Sequence, residues 1–454
     1  MIEPWRRCRA CVGPVTLQTY HEALARLSGC ARPDRVTQAL NCLWIRQARW
    51  RSPGSDILRE RWRFAEFRRP YEGSNVRTWR ILLGLFTVIA VPATTDATST
   101  GTQRSLYAAN QSSGDRGSIS VYDIDVGHRL IKTIPTVPDV ADVRGVAASA
   151  ATGRLYVAYQ DASGTGKVYC LDLYSEKIAW NTVISPGVDR LAVNPNGQLL
   201  YVPTWEGGSA DYINVVEAGT GDVVRRVYFS NRSHDTQYPL SGPVFQETKA
   251  EDGSGNYLYM IDPNSYAVSR IGPYSGVLGP YAVDGASRYA VNNVRNLWGM
   301  QVADLTAGQT ITAIIPDHPP GDPGLLHGIG WTPDETEAWQ SGSRSDPHVY
   351  IWDMRNPMTP VFKERLTLRS DRGSHWLTFD IKGDYAYIAP FKNSDDKTEV
   401  FDARTHISIG VIDSSEDMLE IDFTDGKTSR VGDQYGIGRR KNPVEKAALL
   451  PTGK

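Results

Sequence analysis

The sequence predicts an all-β fold: a seven-bladed β-propeller closed by a C-terminal strand that joins the first blade. Three observations predict it. An aromatic-centred strand phrase recurs along the chain, each recurrence leads into a second strand ending in an acid, and the two ends of the array complete one another. The strand centres are Tyr107, Tyr156, Tyr201, Tyr259, Trp339 and Tyr387, with a weaker one at Tyr289. Most of their spacings fall near the roughly 40–50 residues that four short strands and their turns occupy in one blade.

Residues 1–75 carry no repeat but much Arg, Trp and Cys, and are expected to be an extension outside the working fold, either a disordered arm or a mis-set start. Residues 76–97 motivate that expectation. Arg77 and Arg80 precede the apolar run 81–91, which gives way to Pro92-Ala93 and Thr95-Asp96-Ala97, the three parts of a secretory signal peptide. The run falls short of the about 20 residues of a comfortable bilayer crossing, so no stable membrane span is expected. The protein is therefore expected to be secreted. The Asn-x-Ser sequons at Asn110 and Asn231 are expected to lie in loops and carry glycans. Cys8-x-x-Cys11 has half the spacing of a zinc site, but no second close pair completes it, and no metal is expected. Cys170, inside an apolar strand pattern, reads as a small buried residue.

The propeller is expected over residues 104–430. Its blades span 105–136 with 418–424, then 141–184, 187–229, 241–272, 278–316, 325–368 and 373–413, and 431–454 form a tail. Alternation such as Tyr385-Ala386-Tyr387-Ile388-Ala389 fits sheets packed face to face about an axis. The first repeat lacks an innermost strand and the last supplies one, which removes an exposed sheet edge. With 49 Lys plus Arg against 51 Asp plus Glu, the net charge of −2 recruits neither nucleic acid nor an anionic membrane.

Phrases such as Asn194-Pro195-Asn196-Gly197-Gln198-Leu199-Leu200-Tyr201-Val202 and Val215-Val216-Glu217-Ala218-Gly219-Thr220-Gly221-Asp222-Val223 resemble the YVTN-type repeat of secreted seven-bladed propellers. That family holds enzymes as well as binding and surface proteins, so the resemblance implies a fold rather than a reaction.

One position carries the chemistry. Twelve residues before the strand aromatic stand Arg144, Asp189 (with Arg190 beside it), His327 and His375, at the opening of the innermost strand. Inner strands converge on the channel mouth, where propellers take ligands, and packing alone does not ask for ionisable residues there. His327, His375 and Arg144 are the candidate catalytic residues. Arg190, Trp205, Asn292, Trp376 and Glu420 are the candidate substrate-binding residues, Glu420 joining the rim from the closing strand. Glu206, Gly207 and Gly208 beside Trp205, with Asn293, Trp298 and Trp331, are further pocket candidates, Trp331 and Trp352 reading better as blade packing. His21, His128, His318 and His406 read as surface residues, while His234 and His348 stay open.

Cofactor motifs are missing. Asp172, Lys177 and Trp180 stand at the spacing of a quinone-docking phrase, but only once; there is no Cys-x-x-Cys-His, no phosphate loop and no Gly-x-Ser-x-Gly elbow. The expected function is a cofactor-independent enzyme acting on a small aromatic or polycyclic metabolite, with no nucleic-acid partner and a homodimer as the assembly considered. A secreted YVTN-like ring with a His- and aromatic-lined mouth is similar to the fungal hetero-Diels–Alderases of tropolone–sesquiterpene pathways. That resemblance implies dehydration to a quinone methide and cycloaddition to a terpene alkene. The alternatives are a binding or scaffold propeller without turnover and a metal-dependent hydrolase of lactonase type.

Overall fold

A computed structural model describes residues 101–433 and 440–441, apart from 112–115, 230–231, 241, 250–253, 321–322, 344–345, 370–372, 391–396 and 415. The 1–75 extension, the 76–97 segment, Cys8, Cys11, Asn231 and most of the 431–454 tail lie outside the described residues.

Among the described residues, six four-stranded antiparallel sheets and one six-stranded sheet make up the fold. Blades 2 to 7 are successive meanders. Their innermost strands are Asp142–Ser149, Ala192–Val193, Ser233–Gln237, Leu278–Val283, Ile329–Trp331 and Ser374–Phe379. Blade 1 is completed across the chain ends, with Met418–Thr424 paired antiparallel to Thr102–Ala109 from Ala108↔Met418 to Thr102↔Thr424. Among the described residues no helix is long and apolar enough to cross a membrane.

Burial follows from the architecture. An inner strand such as Leu278–Val283 is buried along its whole length, because a neighbouring blade covers each face. The outer strand Lys177–Ser185 alternates exposed and half-buried residues over most of its length. Core clusters lie between adjacent blades, and the ring is closed by one that joins Tyr387 and Val400 of blade 7 to Leu106 and Tyr122 of blade 1. Tyr156, Tyr201, Trp339 and Tyr387 are fully buried between sheets. Truncating one such ring costs about 3–5 kcal/mol. Cys170 is likewise buried in its strand.

Two expectations are corrected. Blade 4 begins at Ser233 rather than 241, and Tyr259 lies on its third strand, Leu258–Ile261, not its second. The second strand, Val244–Thr248, carries no central Tyr or Trp, so the aromatic period skipped it. The closing strand is also not the end of the fold. Asp425 and Gly426 both take positive φ (50° and 72°) in a tight hairpin turn, and Lys427–Val431 pairs back on the channel side of the closing strand. Gly432 then donates to the Glu420 carbonyl and the Thr378 hydroxyl to the Asp433 carbonyl, so this hairpin fills space inside the ring.

Candidate functional site

Inner strands begin at one end of the channel, and two glycines let them crowd there. A Cβ on Gly145 would meet the Arg190 backbone at 2.7 Å, and one on Gly328 would meet the His375 carbonyl and Trp376 Cα at 2.8 Å. Their preceding residues, Arg144 and His327, are thereby pressed against the next blade's inner strand.

The sequence-predicted His327, His375, Arg144, Arg190 and Trp376 are brought together in one network. His327 and His375 stack with ring centroids 3.8 Å apart. His375 Nδ1 hydrogen-bonds the Glu416 carboxylate, whose other oxygen accepts from Arg190 Nη2 at 3.1 Å. The Arg190 guanidinium lies 3.7 Å over the Trp376 ring, and that ring meets His327 edge-on at 5.8 Å. Arg144 Nη2 clamps both oxygens of the fully buried Asp189 at 3.0 and 2.9 Å. The adjacent Asp189 and Arg190 join the two halves.

His327 donates from Nδ1 to the His375 carbonyl at 3.2 Å, which leaves the lone pair on Nε2. Burial, then the neighbouring His375, Arg190 and Lys249, hold its pKa well below 6.5, so the ring is neutral at neutral pH. Asn293 Nδ2 donates to the His327 carbonyl, while Asn293 Oδ1 accepts from Gln340 at 2.6 Å. The residue after the expected Asn292 thus anchors the catalytic candidate.

His234 sits in the same network, and sequence reasoning left it open. It is 1% exposed, with Nδ1 at 3.1 Å from Glu247 and 3.2 Å from Asp235. Its Nε2 faces Glu206 at 3.6 Å and Asp189 at 3.8 Å. Burial and surrounding cations hold it well below 6.5, burial pushes Asp235 up to about 7, and burial raises Glu247 well above its ordinary value. Lys249 is raised on balance: burial pulls it down, but Glu247 at 2.6 Å outweighs that. A signal for His234 existed. Ser233-His234 and Ser374-His375 are the same dipeptide at two inner-strand starts. In each the Ser hydroxyl accepts an N–H from the preceding blade (Thr204, Gly342) and donates to a carbonyl there (Tyr212, His348).

Other expectations fare differently. Trp205 is half-buried at φ 84°, its ring folded over Gly207, and its neighbour Glu206 is the residue that reaches the cluster. Asn292 is fully buried inside blade 5, donating to Tyr274, Ala290 and Gln301, and lines no mouth. Glu420 does not join the rim. It accepts from Arg104 Nε at 2.9 Å and from the Ile381 amide, beside Asp380 at the far end of blade 7's inner strand, and Glu416 takes the rim place instead. Asn110 is 5% exposed and its amide nitrogen donates to Ser118 and Ser120, so a glycan on that nitrogen would have to break both bonds. His128 is not a surface residue: it is buried, with Nε2 at 2.9 Å from the Tyr387 hydroxyl. His406 is half-buried between Glu337 and Glu364. Trp331 and Trp352 serve blade packing as expected, Trp331 Nε1 donating across to the Ala282 carbonyl of blade 5 and Trp352 Nε1 to Gln340 within blade 6.

No metal was expected, yet two sets of three side chains lie close enough to share an ion: Asp189, Glu206 and His234, and His234, Asp235 and Glu247.

Fold and site together define a seven-bladed β-propeller with a buried acid–base cluster at one end of its channel. No family model matches the chain, and no curated protein matches it. Among solved structures it is similar to Kuenenia stuttgartiensis hydrazine synthase, at 13% identity and TM-score 0.50, covering 65% of this chain and 96% of that one. It is also similar to the β-propeller domain of Myceliophteria thermophila Cps50 (Swd1), at 11% identity and TM-score 0.49 over 64% and 96%. A third is dihydro-heme d1 dehydrogenase NirN in complex with DHE, at 15% identity and TM-score 0.47 over 71% and 75%. At such identities the likeness is one of fold.

Proposed function

We propose that the protein is a secreted enzyme that expels water from a small hydroxylated aromatic metabolite by acid–base chemistry at the channel mouth. The observation that carries this reading is the Glu416–His375–His327 stack beside Arg190. A carboxylate on one imidazole nitrogen orients the ring and stabilises its protonated form, so His375 serves as the acid through Nε2. His327, neutral with its lone pair on Nε2, serves as the base.

The step balances as a 1,4-elimination. His327 takes the phenolic proton, the benzylic C–O bond breaks, and the leaving hydroxide departs as water with the proton from His375. Arg190 holds the negative charge that develops on the phenolic oxygen. Its Nε has no hydrogen-bond partner among the described residues, whereas Arg144 is already committed to Asp189. The product is a quinone methide. In the finer reading, which the hetero-Diels–Alderase resemblance supports, the Trp376 side of the mouth orients a terpene alkene for cycloaddition.

The test is incubation of the full chain with an ortho-hydroxybenzyl alcohol and an electron-rich alkene, following adduct by mass spectrometry. His375→Ala and His327→Ala are each expected to slow adduct formation by about 10²–10⁴-fold. Adduct at the uncatalysed rate with the unaltered protein, or full activity in both variants, would sink the reading.

A further inference from the structure

His234, Glu206 and Asp189 take no part in that elimination, and their arrangement has its own logic. Glu247, ion-paired with Lys249 at 2.6 Å, accepts from His234 Nδ1 at 3.1 Å in the tautomer that leaves the lone pair on Nε2. Nε2 faces carboxylate oxygens of Glu206 at 3.6 Å and Asp189 at 3.8 Å, beyond hydrogen-bonding distance, in a side chain only 2% exposed. Three electron-pair donors thus converge, with the Arg144 guanidinium beside them, its Nη2 2.9 Å from Asp189 Oδ2 and 4.0 Å from Glu206. A carboxylate behind the ligating imidazole is the arrangement that sets ring orientation at metal sites.

We propose that Asp189, Glu206 and His234 bind a divalent first-row transition ion, Mn²⁺ or Zn²⁺. The three ligand atoms lie within 4.8 Å of one another. An ion with bonds of about 2.1 Å holds its ligands roughly 3.0–3.5 Å apart, and His234 Nε2 is within a few tenths of an ångström of that from Glu206 (3.6 Å) and Asp189 (3.8 Å), with the Glu206 side chain at the rim free to make up the remaining closure. Arg144 Nη2 bonds both Asp189 oxygens at 2.9 and 3.0 Å and fixes the carboxylate's orientation, each oxygen keeping a second lone pair for an ion. Glu206 is 41% exposed, which provides an entry path and leaves coordination positions for water or substrate. The imidazole favours a transition ion over calcium or magnesium, which prefer oxygen ligands.

The neighbouring set of His234, Asp235 and Glu247 is the weaker choice. Each of its two carboxylates faces its own cation, Lys249 at 2.6 Å from Glu247 and Arg190 at 3.6 Å from Asp235, whereas the chosen pair shares Arg144, which bonds Asp189 and stands 4.0 Å from Glu206. Asp235 and Glu247 are also fully enclosed.

The test uses the full chain stripped of metal, titrated with Mn²⁺ by loss of the free-ion electron paramagnetic resonance signal and with Zn²⁺ by calorimetry. One equivalent is expected to bind, His234→Ala to abolish binding, and Glu247→Gln to weaken it by about 10–100-fold. Because His234 is buried, its variant can fail to fold, so Glu206→Gln on the exposed loop carries the decision, with an expected loss of at least about 10-fold. No saturable binding of either ion to the unaltered chain, or unchanged affinity in Glu206→Gln, overturns the proposal. Since the readout is binding, it stands or falls separately from the elimination chemistry.

Discussion

The two ends of the inner strands both bury charge, and they handle it in opposite ways. Asp380 lies five residues beyond His375, about 16 Å of extended chain. There, Arg104 spreads over three acids, bonding Glu420, Asp380 and Asp125. The remaining oxygens of the two acids that Arg104 holds there are filled by backbone, Glu420 Oε2 by the Ile381 amide and Asp380 Oδ1 by the Tyr385 amide at 2.7 Å; the buried Asp422 beside them accepts from Arg430 through Oδ2, and only its Oδ1 lacks a partner among the described residues of this group. At the mouth, by contrast, Arg144 Nε, Arg190 Nε and both Asp235 oxygens have no hydrogen-bond partner among the described residues. Native interiors satisfy nearly all buried polar atoms, so a cluster of exceptions calls for an external partner. The more nearly saturated end is a clamp that closes the ring, and the end where unpartnered atoms gather is a site.

The strongest way to break this comparison is Arg104→Met. It strands two buried carboxylates between blades 7 and 1, and removing one partner from such a network costs about 3–5 kcal/mol. Denaturant unfolding should show a loss of that size. Wild-type stability in the variant would mean that the foot of the channel is no clamp.

An acid titration probes the same seam. His128 packs against Tyr385 and Tyr387 across the closure, and burial together with Arg104 lowers its pKa to about 4. Unfolded, it titrates near 6.5. Between those values the unfolded chain binds the extra proton, so stability falls as pH drops from 6.5 to 4, by roughly 3 kcal/mol at the limit. His234 and His327 act in the same direction at the mouth. His128→Gln should therefore flatten the dependence of Tm on pH without abolishing it. An unchanged slope would remove His128 from the seam's energetics.

How much of this was legible in the sequence follows the physics of repetition. The ring and its closure were readable because each blade needs the same aromatic between the same two sheets. Arg144, Asp189, His327 and His375 were readable because they share one offset from that aromatic. His234 stayed open because blade 4 has Gln246 at the offset where other blades have Tyr or Trp, and Glu247 and Lys249, which reach the mouth from the end of the second strand, went unread with it, whereas Glu206 was marked within the Trp205–Gly208 stretch. Glu420 was misplaced for a related reason. On an inner strand, a shift of a few residues moves a side chain along the channel from mouth to foot, and no aromatic follows Glu420 of the closing strand at the twelve-residue offset that set the register elsewhere. Trp205 and Asn292 show a different limit: composition marks a polar or aromatic residue, but only packing says whether it or its neighbour faces the channel.

The subtlest test contrasts two aspartates with similar burial. Asp380 and Asp235 are both fully buried, and burial pushes each up to about 7. They differ in what holds them. Asp380 accepts from Arg104 and from the Tyr385 amide, so Asp380→Asn forfeits a charge-assisted bond and should cost about 1.5–3 kcal/mol. Asp235 accepts no hydrogen bond among the described residues, and its nearest cation is Arg190 at 3.6 Å. Asparagine there removes an ill-supported negative charge at nearly constant volume, so Asp235→Asn should leave stability unchanged or raise it by about 1 kcal/mol. Natural sequences retain such a group where function asks for it, and the stabilised variant should lose affinity for whatever the mouth binds. If thermal unfolding shows the two substitutions equally costly, the mouth is a second clamp, and the division of the channel into a structural end and a chemical end does not hold.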